Sequence, residues 1–177
     1  MFDSCRRDIH YLRLSVTDRC NLRCVYCMPE NGVSSISHDS LLRYEEIVRL
    51  VRLMQPLGVQ KVRITGGEPM ARRGCLDLAQ NLHEMGGLSR IAMTTNALLL
   101  RGRMQEARDK GLTSINISLD TLDPVCYRQM TRLGNVTSVL DAIDEALTCG
   151  LSVKVNAVPV RGMNENDLVS VAALAQD

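Results

Sequence analysis

Three cysteines, Cys20, Cys24 and Cys27, fall within eight consecutive residues. Thiolates are soft ligands that select iron–sulfur clusters or zinc. No fourth cysteine lies at ligand spacing, because Cys5 and Cys75 are far away in the sequence. Three thiolates can bind three irons of a [4Fe–4S] cluster and leave the fourth iron open to an exogenous ligand. The spacing therefore indicates a site for chemistry rather than for simple electron storage.

Other roles for these thiols are weaker. A structural zinc site would need a fourth Cys or His, and His10 and His38 form no pair at ligand spacing. A disulfide within the run is disfavoured, because seven cysteines without a secretory signal indicate a reducing compartment. Three inert cysteines would be a coincidence at this spacing. An iron–sulfur cluster is the favoured interpretation.

Composition excludes several classes of protein. A length of 177 residues suits one domain, residues 1–177, and is too short for two ordinary ones. The net charge of +1 gives no general attraction to nucleic acid or anionic membranes, and one Phe with no Trp cannot form a base-stacking platform. No apolar run approaches the roughly 20 residues of a membrane span, and the start lacks a signal-peptide core. We expect a cytoplasmic protein that binds neither nucleic acid nor membrane.

The elements that must position the thiols alternate between strand and helix. The sequence predicts strands at 11–17, 60–65, 90–95, 114–119 and 152–158, and helices at 44–55, 76–85, 101–110, 136–149 and 166–176. A glycine follows each of the first four helices, at Gly58, Gly87, Gly111 and Gly150, as expected where a helix ends in a left-handed residue. Five β/α units predict an α/β fold with a parallel sheet, and the thiols follow the first strand at its carboxyl end.

Polar and apolar residues alternate along these strands, which places the polar ones on a single face. The apolar face must pack against the helices, so the polar face is expected to line the interior of a closed or nearly closed barrel. The residues expected there are Arg13, Arg63, Thr94, Asn116, Ser118, Lys154 and Asn156. Three cations on one face favour a polyanionic ligand. Internal pairing of the cations with Glu68 or Asp120, or a hydrated interior without function, stays open.

A second motif, Gly66-Gly67-Glu68-Pro69, follows the second strand. With the three cysteines it resembles the radical S-adenosylmethionine (SAM) superfamily. Further segments in the same order resemble the GTP 3′,8-cyclases of molybdenum cofactor biosynthesis. These segments are 12–20, 27–29, 61–69, 94–96, 115–120 and 153–156.

The resemblance implies a fold and a set of site residues. The fold would be a partial (βα)6 TIM-like radical SAM barrel, here truncated after about five β/α units. A [4Fe–4S] cluster would be held by Cys20, Cys24 and Cys27, SAM by Tyr26, Gly67 and Ser118, and GTP by Arg13, Arg63, Thr94 and Lys154.

The resemblance also implies an activity and partners. GTP would be converted to (8S)-3′,8-cyclo-7,8-dihydroguanosine 5′-triphosphate by radical SAM chemistry, with electrons from a reducing donor. Cyclic pyranopterin monophosphate synthase would act next, and a homodimer stays open. The family pattern continues into a second [4Fe–4S] cluster whose three-cysteine site is absent here, so we expect this chain to be a fragment.

Two alternative functions stay open, and this sequence departs from the family pattern at two places. Another radical SAM enzyme, such as a peptide-modifying maturase, would explain the cysteines and Gly66-Gly67-Glu68-Pro69 but not the three cations. A non-catalytic iron–sulfur module would be supported by a cluster that binds no SAM and by a fourth protein ligand. Ala97 stands where the family usually has Gly, and we expect it to restrict a left-handed backbone position. Met70 and Ala71 replace the usual Leu-Leu pair.

Overall fold

A computed structural model describes residues 4–34 and 36–175. Its centre is one sheet of five strands, β1 (Tyr11–Ser15), β2 (Lys61–Thr65), β3 (Arg90–Thr95), β4 (Ser114–Ser118) and β5 (Ser152–Asn156). All neighbouring strands are parallel, and their order in the sheet is their order in the chain. The predicted parallel sheet is confirmed.

The strand order decides where the helices lie. Right-handed crossovers between successive parallel neighbours place every connecting helix on the same face of the sheet. The apolar strand residues, such as Ile64, Met93 and Ile117, are fully buried on that face against residues of the helices. A sheet with helices on one side only curves towards a barrel, as the predicted partial TIM-like fold requires.

Six α-helices are present among the described residues, one more than predicted. They are α1 (Tyr44–Met54), α2 (Cys75–Glu84), α3 (Met104–Asp109), α4 (Pro124–Thr131), α5 (Val136–Thr148) and α6 (Leu168–Ala173). Helix α4 was not predicted. Asp123 accepts a hydrogen bond from the Cys126 N–H at 2.6 Å and Pro124 occupies the first turn, which together start α4. The end predicted for the last helix, Gln176, lies outside the described residues.

Backbone conformation bears out two expectations. The glycines predicted to end four helices all have positive φ. Ala97 also has positive φ, at 66°, although its methyl group is fully buried. None of the described helices has the length and apolar character needed to cross a membrane.

The sheet register sets which polar side chains are neighbours. Arg13 lies opposite Arg63 across β1 and β2. Thr94, Asn116 and Lys154 form one row across β3, β4 and β5. The three cations therefore share the face that carries no helices.

Candidate functional site

A cavity of about 240 Å³ lies at the carboxyl ends of the strands. Its lining includes seven of the ten predicted site residues, namely Cys20, Cys24, Tyr26, Cys27, Gly67, Thr94 and Ser118. These residues come from β3, β4 and the loops after β1 and β2, so the fold assembles them from four places in the chain. The site predicted from separate motifs is a single concave surface.

The cysteine loop is held by its own backbone. The N–H groups of Cys27 and Met28 both donate to the carbonyl oxygen of Cys24, at 2.9 and 3.0 Å, which closes a tight turn. The Leu22 N–H donates to Cys20 Sγ at 3.4 Å, and the Asn96 amide nitrogen lies 3.9 Å from the same sulfur. Backbone N–H groups pointing at a ligand sulfur are one way in which proteins tune iron–sulfur clusters.

The thiols are close enough to influence each other electrostatically. Burial raises the pKa of Cys24 to about 11, with further contributions from Asp120, Cys20 and Cys27. Burial also raises the pKa of Cys20. Metal ligands must be deprotonated, so metal binding at this loop has to release protons.

Tyr26 is fixed through its hydroxyl group. Tyr26 is 42% exposed, but its hydroxyl donates to Asp120 Oδ2 at 2.7 Å. Burial, followed by this hydrogen bond, raises the Tyr26 pKa. Asp120 is itself 3% exposed and accepts from the Val158 N–H at 2.9 Å. The aromatic ring is therefore held over the cavity by the loops that follow β4 and β5.

The two glycines of the Gly66–Pro69 segment lie against the chain that enters the cysteine loop. A Cβ on Gly66 would be 2.4 Å from the Thr17 carbonyl oxygen, and one on Gly67 would be 2.4 Å from that of Arg19. The Gly67 N–H donates to the Thr17 oxygen at 2.7 Å. The close approach that excludes a side chain at these glycines is therefore to the protein's own backbone.

Glu68 ties the ends of β2 and β3 together. Its carboxylate is fully buried and accepts three hydrogen bonds. One oxygen accepts from Thr95 Oγ1 at 2.8 Å and the Met70 N–H at 3.1 Å, and the other accepts from the Asn96 N–H at 2.8 Å. Glu68 is thus a structural group that shapes the cavity wall.

Replacing Glu68 by glutamine is expected to destabilise the metal-free chain. The amide NH₂ of glutamine would face one of the donors that now bond to the Glu68 carboxylate. A buried donor left without an acceptor lowers the free energy of unfolding by about 1–3 kcal/mol. At roughly 2–4 °C per kcal/mol for a chain of this size, thermal unfolding followed by circular dichroism should show a lower Tm. Glu84→Gln on the exposed side of α2 is the matched control. Equal Tm values for the two variants would contradict this structural role.

The pH dependence of this loss has a defined sign. Burial raises the pKa of Glu68 above its ordinary value of 4.5. A carboxyl group with a raised folded-state pKa stabilises most below its unfolded pKa, and that contribution is lost as the pH rises through the folded-state pKa. The stability advantage of the parent over Glu68→Gln should therefore shrink as the pH rises above about 4.5. An advantage that grows over this range would contradict the shift.

The three predicted cations lie on the open face near the cavity, but they are not among its lining residues. Arg13 and Lys154 are exposed and Arg63 is partly buried. Arg13 and Lys154 are therefore not enclosed as the expected interior of a closed barrel would enclose them, because β1 and β5 are edge strands in the described residues. Internal pairing is not found either: within residues 4–34 and 36–175 none of the three forms an ion pair with a carboxylate.

Two polar atoms on this face lack partners. Within the part of the chain that the structure describes, Arg63 Nε and Thr94 Oγ1 are buried without a hydrogen-bond partner. The Arg63 guanidinium lies 5.5 Å from the centre of the Tyr11 ring. Buried polar atoms are nearly always satisfied, so such exceptions call for an explanation, and a ligand is one.

Asn96 belongs to the site but was not assigned to it from the sequence. Its amide donates to Asn21 Oδ1 at 2.8 Å as well as facing Cys20, and it lines the cavity. The segment 94–96 was among the matched segments, and its place directly after β3 was the available signal.

Comparison with known proteins connects this site to a family. The family model of the radical SAM superfamily matches residues 14–175. The chain is similar to the GTP 3′,8-cyclase of Pelotomaculum thermopropionicum, with 48% identity over 98% of this chain and 54% of that one. It is also similar to the GTP 3′,8-cyclases of Petrotoga mobilis, at 46% identity over 100% and 55%, and Alkaliphilus metalliredigens, at 45% over 100% and 56%. The chain spans about half the length of these curated relatives.

Solved structures share the fold. Streptococcus suis SuiB bound to S-adenosylmethionine aligns with a TM-score of 0.78 and 20% identity, over 94% of this chain and 37% of that one. Methylornithine synthase (PylB) aligns with a TM-score of 0.75 and 19% identity, over 94% and 50%. At this level of identity the likeness concerns the fold alone.

Proposed function

The chain belongs to the radical SAM superfamily, and from this premise we propose that it forms the SAM- and GTP-binding barrel of a GTP 3′,8-cyclase. The observation that carries the proposal is the agreement, along almost the whole chain, with proteins that are GTP 3′,8-cyclases. The product would be (8S)-3′,8-cyclo-7,8-dihydroguanosine 5′-triphosphate, which cyclic pyranopterin monophosphate synthase would consume in molybdenum cofactor biosynthesis.

Cys20, Cys24 and Cys27 would hold a [4Fe–4S] cluster. All three line one cavity, yet the described residues contain no group of three or more His, Cys, Asp or Glu side chains placed to hold a metal ion. Three soft thiolates with no fourth Cys or His at ligand spacing suit a cluster with one open iron better than a closed four-ligand zinc site. A cluster held there would supply one electron for the cleavage of SAM to methionine and a 5′-deoxyadenosyl radical, the species that would take the hydrogen from ribose C3′ of GTP.

Three residues would hold SAM in this cavity. The Gly67 N–H is already bonded to Thr17, so the Gly67 carbonyl oxygen is the group available to accept from the SAM amino group. Ser118 at the end of β4 would donate to the SAM carboxylate, and the Tyr26 backbone would meet the adenine. The hydrogen bond between Tyr26 and Asp120 keeps that part of the loop in place before SAM arrives.

GTP would lie along the polar face beside the cavity. Arg13, Arg63 and Lys154 offer charge to the phosphates, since guanidinium and ammonium groups suit phosphate oxygens. Thr94 lines the cavity and stands in the same cross-strand row as Lys154, so it connects the SAM region with the phosphate region. The unpartnered Arg63 Nε and Thr94 Oγ1 support a polar ligand here.

A chimera would test the proposal. This chain would replace the matching 54% of the Pelotomaculum thermopropionicum enzyme, whose remainder would contribute whatever the longer protein adds, including the second cluster expected of the family. After anaerobic reconstitution, the chimera would receive SAM, GTP and dithionite as chemical reductant. We expect 5′-deoxyadenosine and cyclised nucleotide in comparable amounts.

The outcomes separate the classes of function. SAM cleavage that is independent of GTP and gives no cyclised nucleotide would contradict the cyclase assignment and favour another radical SAM enzyme. A cluster that binds no SAM would favour a non-catalytic iron–sulfur module. The reducing electron donor remains a prediction, and a homodimer stays open.

A further inference from the structure

Arg132 has an unusual backbone conformation beside the cysteine loop. It follows α4 with φ 63° and ψ −36°, a region that residues other than glycine rarely occupy. Such conformations persist only where the surroundings fix them, and they concentrate at functional sites. The contacts of this residue therefore need an explanation.

The Arg132 guanidinium holds both ends of the turn that carries Cys24 and Cys27. Its Nη1 donates to the carbonyl oxygen of Arg23 at 2.5 Å and to that of Met28 at 3.1 Å. The first carbonyl directly precedes Cys24, and the second directly follows Cys27. A single side chain thus spans two of the three predicted cluster ligands.

The carboxyl end of α4 completes this attachment through its backbone. The Arg23 N–H donates to the Thr131 carbonyl oxygen at 3.1 Å, and the Val25 N–H donates to that of Met130 at 2.8 Å. Arg132 has to leave the helix for its side chain to reach back over the loop. The strained backbone and the two carbonyl contacts are parts of the same arrangement.

The loop carbonyls are consequently turned towards cations. Arg23 Nη1 donates to the carbonyl oxygens of Cys20 and Leu22, both at 2.8 Å. Arg132 Nη1 donates to the carbonyl oxygens of Arg23 and Met28. Four carbonyl groups of the loop are occupied in this way, whereas the Leu22 N–H points at Cys20 Sγ.

We propose that Arg132 is a positioning residue that keeps the Cys24–Cys27 turn against the cavity that Cys20 also lines, and so secures the cluster. The proposal rests on the proposed function, because it assumes that these cysteines hold a cluster. Groups beyond the direct ligands typically change metal affinity or activity 10- to 100-fold when mutated.

Arg132→Gly separates the side chain from the backbone strain, because glycine accepts this φ without cost. The variant should fold, with a Tm of the metal-free chain close to that of the parent. After loading, transfer of iron to a chelator should be roughly 10- to 100-fold faster than in the parent. The EPR signal of the reduced cluster should also change shape. Arg132→Lys keeps a donor and a charge and should restore part of the retention, while Arg128→Ala on the same helix is the matched control.

A measurement on the metal-free chain tests the same positioning without the cluster. Hydrogen exchange at the Arg23 and Val25 amides should be about tenfold faster in Arg132→Gly, as expected for the loss of one or two hydrogen bonds. If hydrogen exchange, iron retention and the EPR spectrum of Arg132→Gly all match those of the parent, Arg132 does not position the turn and the proposal is wrong. If the parent itself takes up no cluster, the proposed function fails, while the exchange result still decides whether Arg132 orders the turn.

Discussion

Alanine in place of Cys24 is expected to lower the iron content after anaerobic reconstitution from about four atoms per chain to near zero. Each of the three thiols is needed, since no fourth cysteine at ligand spacing can take over. Cys24 is partly buried in the cavity wall, and Cys24→Ala leaves Cys20 and Cys27 there, two thiols for a cluster that needs three. Iron and sulfide analysis, with the charge-transfer absorbance of the oxidised cluster, would measure the loss.

The control for this prediction is Cys149→Ala, which changes a partly buried cysteine at the end of α5. It should retain the full cluster. Addition of SAM should change the EPR spectrum of the parent, because the fourth iron has no protein thiolate. Stoichiometric zinc without iron, or full iron content in Cys24→Ala, would contradict the cluster assignment.

The sheet could be predicted well because its signal is local and repeated. The alternation of Ile115, Ile117 and Leu119 with polar neighbours fixed both the strand and its buried face. The cysteine run and the Gly66–Pro69 segment follow successive strands, and parallel strands bring their carboxyl ends to one edge. These two facts place five of the seven predicted residues beside one cavity, and Thr94 and Ser118 reach it from β3 and β4.

Helix α4 was missed because its apolar pattern is weak. Only Tyr127, Met130 and Thr131 of its eight residues are buried, and Val125 is 65% exposed. The Asp-Pro start was a usable signal, since aspartate is a preferred N-cap and proline is tolerated in the first turn. Without α4, nothing in the sequence linked Arg132 to a loop more than one hundred residues earlier.

The exposure of the cations could not be predicted from alternation. The alternation along a strand tells which face of the sheet a residue occupies. It does not tell how strongly the sheet curves or what covers its edge strands. Arg13 on β1 and Lys154 on β5 are exposed for this reason, whereas Arg63 on an inner strand is partly buried. The difference in exposure leads to a graded prediction for the substrate site.

Replacing Arg63 by alanine is expected to weaken GTP binding by about ten- to more than a hundredfold, which corresponds to the 1.5–3 kcal/mol of a charge-assisted hydrogen bond. Arg63 should matter most of the three cations, because its Nε is buried without a hydrogen-bond partner among the described residues and its side chain is partly buried. Arg13→Ala and Lys154→Ala should have smaller effects, since exposed charges are screened by solvent and salt. Calorimetric titration with GTP would give the three affinities.

The order of these effects separates a built phosphate site from a generally basic surface. Arg90 is exposed and shares the polar face, at the opposite end of the strands from the cavity, so Arg90→Ala should bind GTP like the parent. A surface that attracts anions by charge alone would respond equally to all four substitutions, and the response would vanish in high salt. The cluster absorbance should be unaffected by any of them, because none of these residues lines the cavity that contains the cysteines. If Arg13→Ala, Arg63→Ala and Lys154→Ala all bind GTP as tightly as the parent does, the three cations do not bind the substrate and the GTP assignment fails. The fold and the cluster assignment would be unaffected.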